Sequence, residues 1–218
     1  MAKRVAVVLS GCGVYDGSEI YESVLTLLRL DQNGARVQCF APNIEQLHVV
    51  NHANGAVAEG ENRNVMVEAA RLARGNIKDL AEADAGDFDA VILPGGFGAA
   101  KNLSDFALKG AGLSVNPDLL KFVQAMRSAG KPVGLMCIAP AMTGILFGHG
   151  AICTIGNDKG TAEAIEATGA VHRDCAVDNV CVDQTNKLVT TPAYMLASSI
   201  SEAASGINKL VDTVLDMA

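Results

Sequence analysis

Cys137 stands where a protein chain most readily does covalent chemistry. The segment Gly134-Leu135-Met136-Cys137-Ile138-Ala139-Pro140 runs an apolar strand straight into a thiol, and a helix is expected to start at Ala139-Pro140. Strand, nucleophile and helix in that order make a nucleophile elbow, although the G-x-S-x-G signature is absent. Such a turn exposes the sulfur and aims a helix N-terminus at it. A favourable helix end is worth up to ~2 kcal/mol. At ~1.4 kcal/mol per pKa unit, it would bring a thiol from ~8.5 to about 7. Cys137 is therefore expected to be the most acidic of the six cysteines. The competing reading is a small buried apolar residue at a strand end.

A second turn, Pro94-Gly95-Gly96-Phe97-Gly98, ends another apolar run. Glycines there let backbone N–H groups approach a ligand and point at a developing oxyanion. The Lys-Ser/Thr pair of a Walker A loop is missing. A third turn, Gly11-Cys12-Gly13-Val14-Tyr15-Asp16-Gly17, follows the first apolar run with G-x-G-x-x-x-G spacing. Phe40-Ala41-Pro42 stand where a dinucleotide fold closes its second strand on an acid, so dinucleotide binding is not expected. Cys12 sits on a loop expected to face the site. Glu19 and Glu22 follow, three apart on one helix face. His48 and His52 have an i, i+4 spacing that suits a metal only on a helix, whereas Val49, Val50 and Asn54-Gly55 argue a hairpin. His149 and His172 read as loop residues. Cysteines 12, 39, 153, 175 and 181 lack metal-ligand spacing.

The elements that must position these residues alternate between strand and helix. Residues 4–10, 36–41, 89–93, 132–136 and 151–154 read as strands, most of them stopped by Gly or Pro. Helices are expected after a Ser18 cap, with Ile20, Val24, Leu27, Leu28 and Leu30 on one side, and over 64–74, 159–168 and 198–215. Another starts at Asn116-Pro117-Asp118 and closes at Gly130. Segments 47–59 and 180–191 read as hairpins. The alternation predicts an α/β fold with a mostly parallel sheet and helices on both faces, over one domain spanning 1–218. Ligands of such sheets sit beyond the carboxyl ends of the strands, which picks out 11–17, 94–98 and 136–140.

Composition narrows the partners. The 218 residues carry a formal charge of −7, with no Lys/Arg run and only 4% aromatic residues. Nucleic acid and anionic membrane are therefore not expected as partners. No apolar run approaches the ~18 residues of a membrane span, and residues 5–9 are too short for a signal-peptide core. Six cysteines without a C-x-x-C suggest reduced thiols and a cytoplasmic setting.

One ordered set of residues resembles a known family: Glu22, then Leu93-Pro94-Gly95-Gly96, Lys101-Asn102-Leu103, and Cys137-Ile138-Ala139-Pro140. Together they resemble the ThiJ/PfpI superfamily of class I glutamine amidotransferase-like proteins. Within it, nearly the whole chain is most similar to the enhancing-lycopene-biosynthesis group, described as glyoxalases. The resemblance implies a flavodoxin-like three-layer sandwich, a homodimer and no cofactor. It implies a reactive Cys137 with Glu22 as its partner, and the N–H groups of Gly96 and Ile138 as the oxyanion site. Glyoxal would be the substrate and glycolate the product, without glutathione or metal. A protonated Glu22 bonded to the sulfur adds ~1.5–3 kcal/mol, which with the helix places Cys137 near ~5.5.

Three departures bear on this. Ile138 stands where relatives often have Ala or Gly. Gly156-Asn157-Asp158 occupies the turn where many relatives carry a histidine, which leaves Asp158 as the accessory candidate. No downstream His-Pro-Glu exists, so neither glutamine hydrolysis nor peptidase activity is expected. The alternative to catalysis is a thiol-based oxidative-stress sensor or interaction module, in which Cys137 is oxidised to sulfinic acid and held by Glu22.

Overall fold

The computed structural model describes residues 2–218. Its strands are β1 (Arg4–Val8), β2 (Arg36–Ala41), β3 (Val50–Asn51), β4 (Ala56–Val57), β5 (Ile77–Asp79), β6 (Ala90–Leu93), β7 (Val133–Met136), β8 (Ile152–Cys153), β9 (Val171–His172), β10 (Cys181–Asp183) and β11 (Leu188–Thr191). Its helices are α1 (Ile20–Gln32), α2 (Val65–Leu72), α3 (Phe97–Lys101), α4 (Phe106–Lys109), α5 (Pro117–Ser128), α6 (Thr143–Phe147), α7 (Lys159–Ala167) and α8 (Ile200–Met217).

Seven strands form the central sheet in the order β10-β11-β7-β6-β1-β2-β5. Every pairing is parallel except β10 against β11. The strands are apolar on both sides because both sides are covered. In β1, Ala6 and Val8 enter one core with Phe122, Val123 and Met126 of α5. Val5 and Val7 enter the other, with Leu30 of α1, Val65 and Ala69 of α2, and Ile207, Leu210 and Val214 of α8. This is the expected flavodoxin-like three-layer sandwich. The sequence signals that start α5 also hold: Pro117 opens it, and Asn116 accepts from the Asp118 and Leu119 N–H groups.

The structure corrects four expectations. The cap of α1 is Glu19, not Ser18, whose Oγ instead accepts from the Ser10 N–H at 2.8 Å. The inner face of α1 is the polar one. Glu22, Ser23, Thr26 and Leu30 are buried, while Ile20, Val24 and Leu28 are 42%, 47% and 48% exposed. Buried polar groups are tolerated when locally bonded: Ser23 Oγ donates to the Glu19 carbonyl at 2.7 Å, and Glu22 accepts two backbone N–H groups. The strand expected over 151–154 does not join the main sheet; β8 pairs in parallel with β9 as a separate ribbon. Finally, the helix after Cys137 begins as a 3₁₀ turn over Ala139–Met142, and α6 behind it has five residues.

Candidate active site

Four strand ends meet at one edge of the sheet. The turns after β1 and β6 are joined by backbone bonds: Phe97 N to Val14 O and Gly98 N to Gly17 O, both at 2.8 Å, and Glu19 N to Gly95 O at 3.0 Å. Asn102 fixes the same junction, its Nδ2 donating to the Ser10 and Asp16 carbonyls at 2.9 Å and its Oδ1 accepting from Leu47 N at 3.1 Å. Glycine is what allows this closeness. A Cβ on Gly96 would fall on Gly17 O and Glu19 N, and one on Gly17 would fall on Cys12 N. The glycine-rich first turn is thus a packing surface for the second turn.

Cys137 caps β7 with φ of 58°, in the left-handed region that a side chain enters at a cost of ~1–3 kcal/mol. Its N–H bonds the Thr191 carbonyl at 3.1 Å, which ties the elbow to the end of β11. That is the strained turn of a nucleophile elbow. Glu22, fully buried on α1, faces it. Glu22 Oε2 accepts from Gly95 N at 2.8 Å and Oε1 from Tyr194 N at 3.2 Å. Gly95 lets the two meet, since a Cβ there would lie 2.5 Å from Cys137 Cβ and 2.9 Å from Glu22 Oε2. Among the described residues the Gly96 and Ile138 N–H groups have no backbone acceptor, and both draw the pKa of the Cys137 sulfur down. Cys137, Glu22, Gly96 and Ile138 are therefore brought together.

Charge in the site is acidic. Burial raises the Glu22 carboxyl from its ordinary 4.5 to about 7; Glu19 adds to the rise, against the Tyr194 and Gly95 N–H groups and the Cys137 thiol. Burial also raises Glu19, which accepts from the Glu22 N–H at 2.7 Å. Burial and the Glu22 charge push Cys137 well above an ordinary thiol, against the Gly96 and Ile138 donors. The expected acidic thiol is overturned for a physical reason. Cys137 is only 7% exposed, no cation among the described residues acts on its sulfur, and the short 3₁₀ turn offers little helix dipole. At rest the sulfur keeps its proton and Glu22 is the group poised near neutrality.

A cavity of about 360 Å³ opens over Cys137, walled by Glu19, Gly96, Phe97, Ile138 and Tyr194. Asp158 does not line it. Its carboxylate caps α7, accepting from Thr161 N at 2.8 Å and Thr161 Oγ1 at 2.7 Å, while Thr161 itself reaches the wall. Cys12 is also off the wall; the charges that act on it are Glu68, Arg71 and Asp16. His52 lies on the β3–β4 hairpin, where its Nε2 accepts from Tyr15 N at 3.2 Å. His172 is half-buried on β9 and accepts from Ile155 N at 3.2 Å. Among the described residues, no three His, Cys, Asp or Glu side chains are arranged to hold a metal.

The end of β11 was missing from the three turns picked out by sequence. It contributes the Tyr194 N–H that bonds Glu22 and the Tyr194 and Met195 side chains on the wall. The β-prone run Leu188-Val189-Thr190-Thr191, stopped by Pro192, is the available signal.

No family model matches the chain. It is 48% identical over 225 residues to the human protein named glutamine amidotransferase-like class 1 domain-containing protein 3, mitochondrial, covering 99% of this chain and 84% of that one. The crystal structure of an isoprenoid biosynthesis protein with amidotransferase-like domain from Ehrlichia chaffeensis superposes with a TM-score of 0.92 at 36% identity, over 99% of each chain. Drosophila melanogaster DJ-1beta superposes at 0.58 and 18% identity, covering 100% of this chain and 96% of that one, a likeness of fold alone.

Proposed function

The chain belongs to the glutamine amidotransferase-like class 1 domain family, and from that premise we propose that it is a cofactor-independent glyoxalase. In this reading it converts glyoxal to glycolate at Cys137, the activity that the resemblance to the enhancing-lycopene-biosynthesis group implies. The observation that carries the reading is the Cys137–Glu22 pair: a thiol on a strained elbow beside a buried carboxyl that titrates at about 7.

The chemistry runs on one mobile proton. Ionised Glu22 takes the thiol proton as the sulfur bonds one aldehyde carbon, and the new oxyanion accepts from the Gly96 and Ile138 N–H groups. Glu22 returns the proton to that oxygen, which gives a hemithioacetal. It then removes the hydrogen from the same carbon and delivers it to the neighbouring one, while the proton of the hemithioacetal hydroxyl passes to the neighbouring oxygen, so that the first carbon becomes the thioester carbonyl and the second carries the hydroxyl. The product is a glycolyl thioester on Cys137. Water cleaves the C–S bond, releasing glycolate and restoring the thiol. No electron acceptor is consumed, because one carbon is oxidised as its neighbour is reduced.

Formation of glycolate from glyoxal, followed by proton NMR, tests the proposal. Wild type should turn over many equivalents, Cys137→Ser none and Glu22→Gln none. Normal turnover by Cys137→Ser would refute it. The sensor reading also has support, since the Gly96 and Ile138 donors would equally hold a sulfinate on Cys137. It expects one oxidation per chain and no catalytic product. A reduced thiol suits a reducing compartment such as the cytoplasm. A homodimer belongs to the same proposal, supported by the outward apolar stripe Ile20, Val24 and Leu28 of α1; sedimentation equilibrium tests it.

A further inference from the structure

The cavity over Cys137 is larger and more apolar than glyoxal needs. Glyoxal has four heavy atoms, whereas about 360 Å³ would hold on the order of a dozen waters at about 30 Å³ each. Much of the wall is carbon, from Val14, Phe97, Ala100, Phe106, Ile138 and Met195. Glu19 is the one charged side chain on it, and no lysine, arginine or histidine lines it among the described residues. Lys101 shares α3 with Phe97 and Ala100 but is held away: its ammonium lies 5.2 Å from the Phe97 ring centroid and donates to the Tyr15 carbonyl at 2.8 Å. A carboxylate or phosphate entering this space would meet Glu19, with Glu22 behind it, and no compensating cation. An apolar arm would instead release water from an apolar wall.

We propose that this cavity selects α-oxoaldehydes bearing an uncharged, apolar arm of about four to six carbons, over both bare glyoxal and oxoaldehydes that end in an acid. The selection rests on the glyoxalase reading for its chemistry but on the wall for its preference. On the same wall the carboxylate of glutamine would find no cation among the described residues.

Two probes of similar size decide it: 4-methyl-2-oxopentanal, with a branched alkyl arm, and 4,5-dioxopentanoate, whose arm ends in a carboxylate. For each, and for glyoxal, kcat/KM is measured, together with protection of Cys137 from iodoacetamide, read by peptide mass. The alkyl compound is expected to exceed glyoxal at least about tenfold in kcat/KM and the acid at least about a hundredfold. It should protect Cys137 at concentrations where the acid does not. Ala107→Lys places a cation on the exposed wall position of α4 and should narrow the alkyl-to-acid ratio at least about tenfold. Equal or better use of the acid by wild type overturns the proposal. If no oxoaldehyde is turned over, selective protection by the alkyl compound still supports the cavity's preference while the glyoxalase reading falls. Failure of that selective protection refutes the preference itself.

Discussion

Replacing Glu22 by Gln should remove a specific part of the protein's pH dependence. In the folded chain this carboxyl titrates at about 7, against 4.5 for an ordinary glutamate, chiefly because it is buried. The folded state therefore binds the Glu22 proton more tightly than the unfolded state. This contribution to stability is fully present below about 4.5 and is lost as pH rises to about 7. At about 1.4 kcal/mol per pH unit the whole interval amounts to about 3.5 kcal/mol, of which about 2.5 kcal/mol falls between pH 5 and pH 8. The absolute stability of Glu22→Gln has no simple sign, because the amide nitrogen would face one of the Gly95 and Tyr194 donors. The difference between pH values escapes that problem. Urea unfolding of both proteins at pH 5 and pH 8 should show wild type losing about 2.5 kcal/mol more than Glu22→Gln. In thermal melts the same difference is about 5–10 °C for a chain of this size. Parallel pH profiles for the two proteins would refute the assignment of a proton to folded Glu22 near neutrality.

Glyoxal turnover by wild type should rise with pH through about 7 to a plateau as Glu22 ionises, a profile read from kcat/KM. Glu19→Gln removes a negative neighbour that raises Glu22 while keeping an acceptor for the Glu22 N–H, so the rise should move to lower pH. Gly95→Ala should cut turnover at least about a hundredfold, measured on folded protein by glycolate formation, because its Cβ would displace Cys137 from Glu22. Alkylation against pH should label Cys12 and Cys175 before Cys39 and Cys153, whose burial pushes them to about 11 and about 12; peptide mass gives the order.

What the sequence made legible follows the range of its signals. Strong local signals came through: Arg36–Ala41 is a strand as expected, Asn54-Gly55 lies in the β3–β4 turn, and Pro117 starts α5. Short elements did not. With five and four residues, α3 and α4 are below the length at which helical periodicity can be read, yet they carry Phe97 and Phe106 to the cavity. The segment 180–191 was rightly read as a hairpin. That reading leaves out the other partner of β11, the parallel β7, beside which the end of β11 brings the Tyr194 N–H to Glu22. The inverted face of α1 has a related cause. Ile20, Val24 and Leu28 look like a core stripe by spacing, and only the backbone donors at Gly95 and Tyr194 make Glu22 the buried side. Burial, likewise, is a property of the assembled site, so the thiol's high pKa had no sequence signal.

The absent histidine becomes intelligible once Glu22 is placed. A catalytic base works best when its pKa lies near the working pH, which histidine reaches unaided and a carboxyl reaches only when buried. Burial and Glu19 bring Glu22 to about 7, the same range. The two bases differ in charge. In the proposed reaction, a neutral histidine that took the thiol proton would leave a cation facing an anion, whereas ionised Glu22 would become neutral as the charge moved to the substrate oxygen. Histidine would create a separated pair, whereas with Glu22 as base one negative charge would move. That suits a wall whose one charged side chain is Glu19, because no new charge must be stabilised there. On the same proposal the moving charge would be met by the Gly96 and Ile138 donors, and the bare Gly95 would let carboxyl and thiol exchange the proton directly.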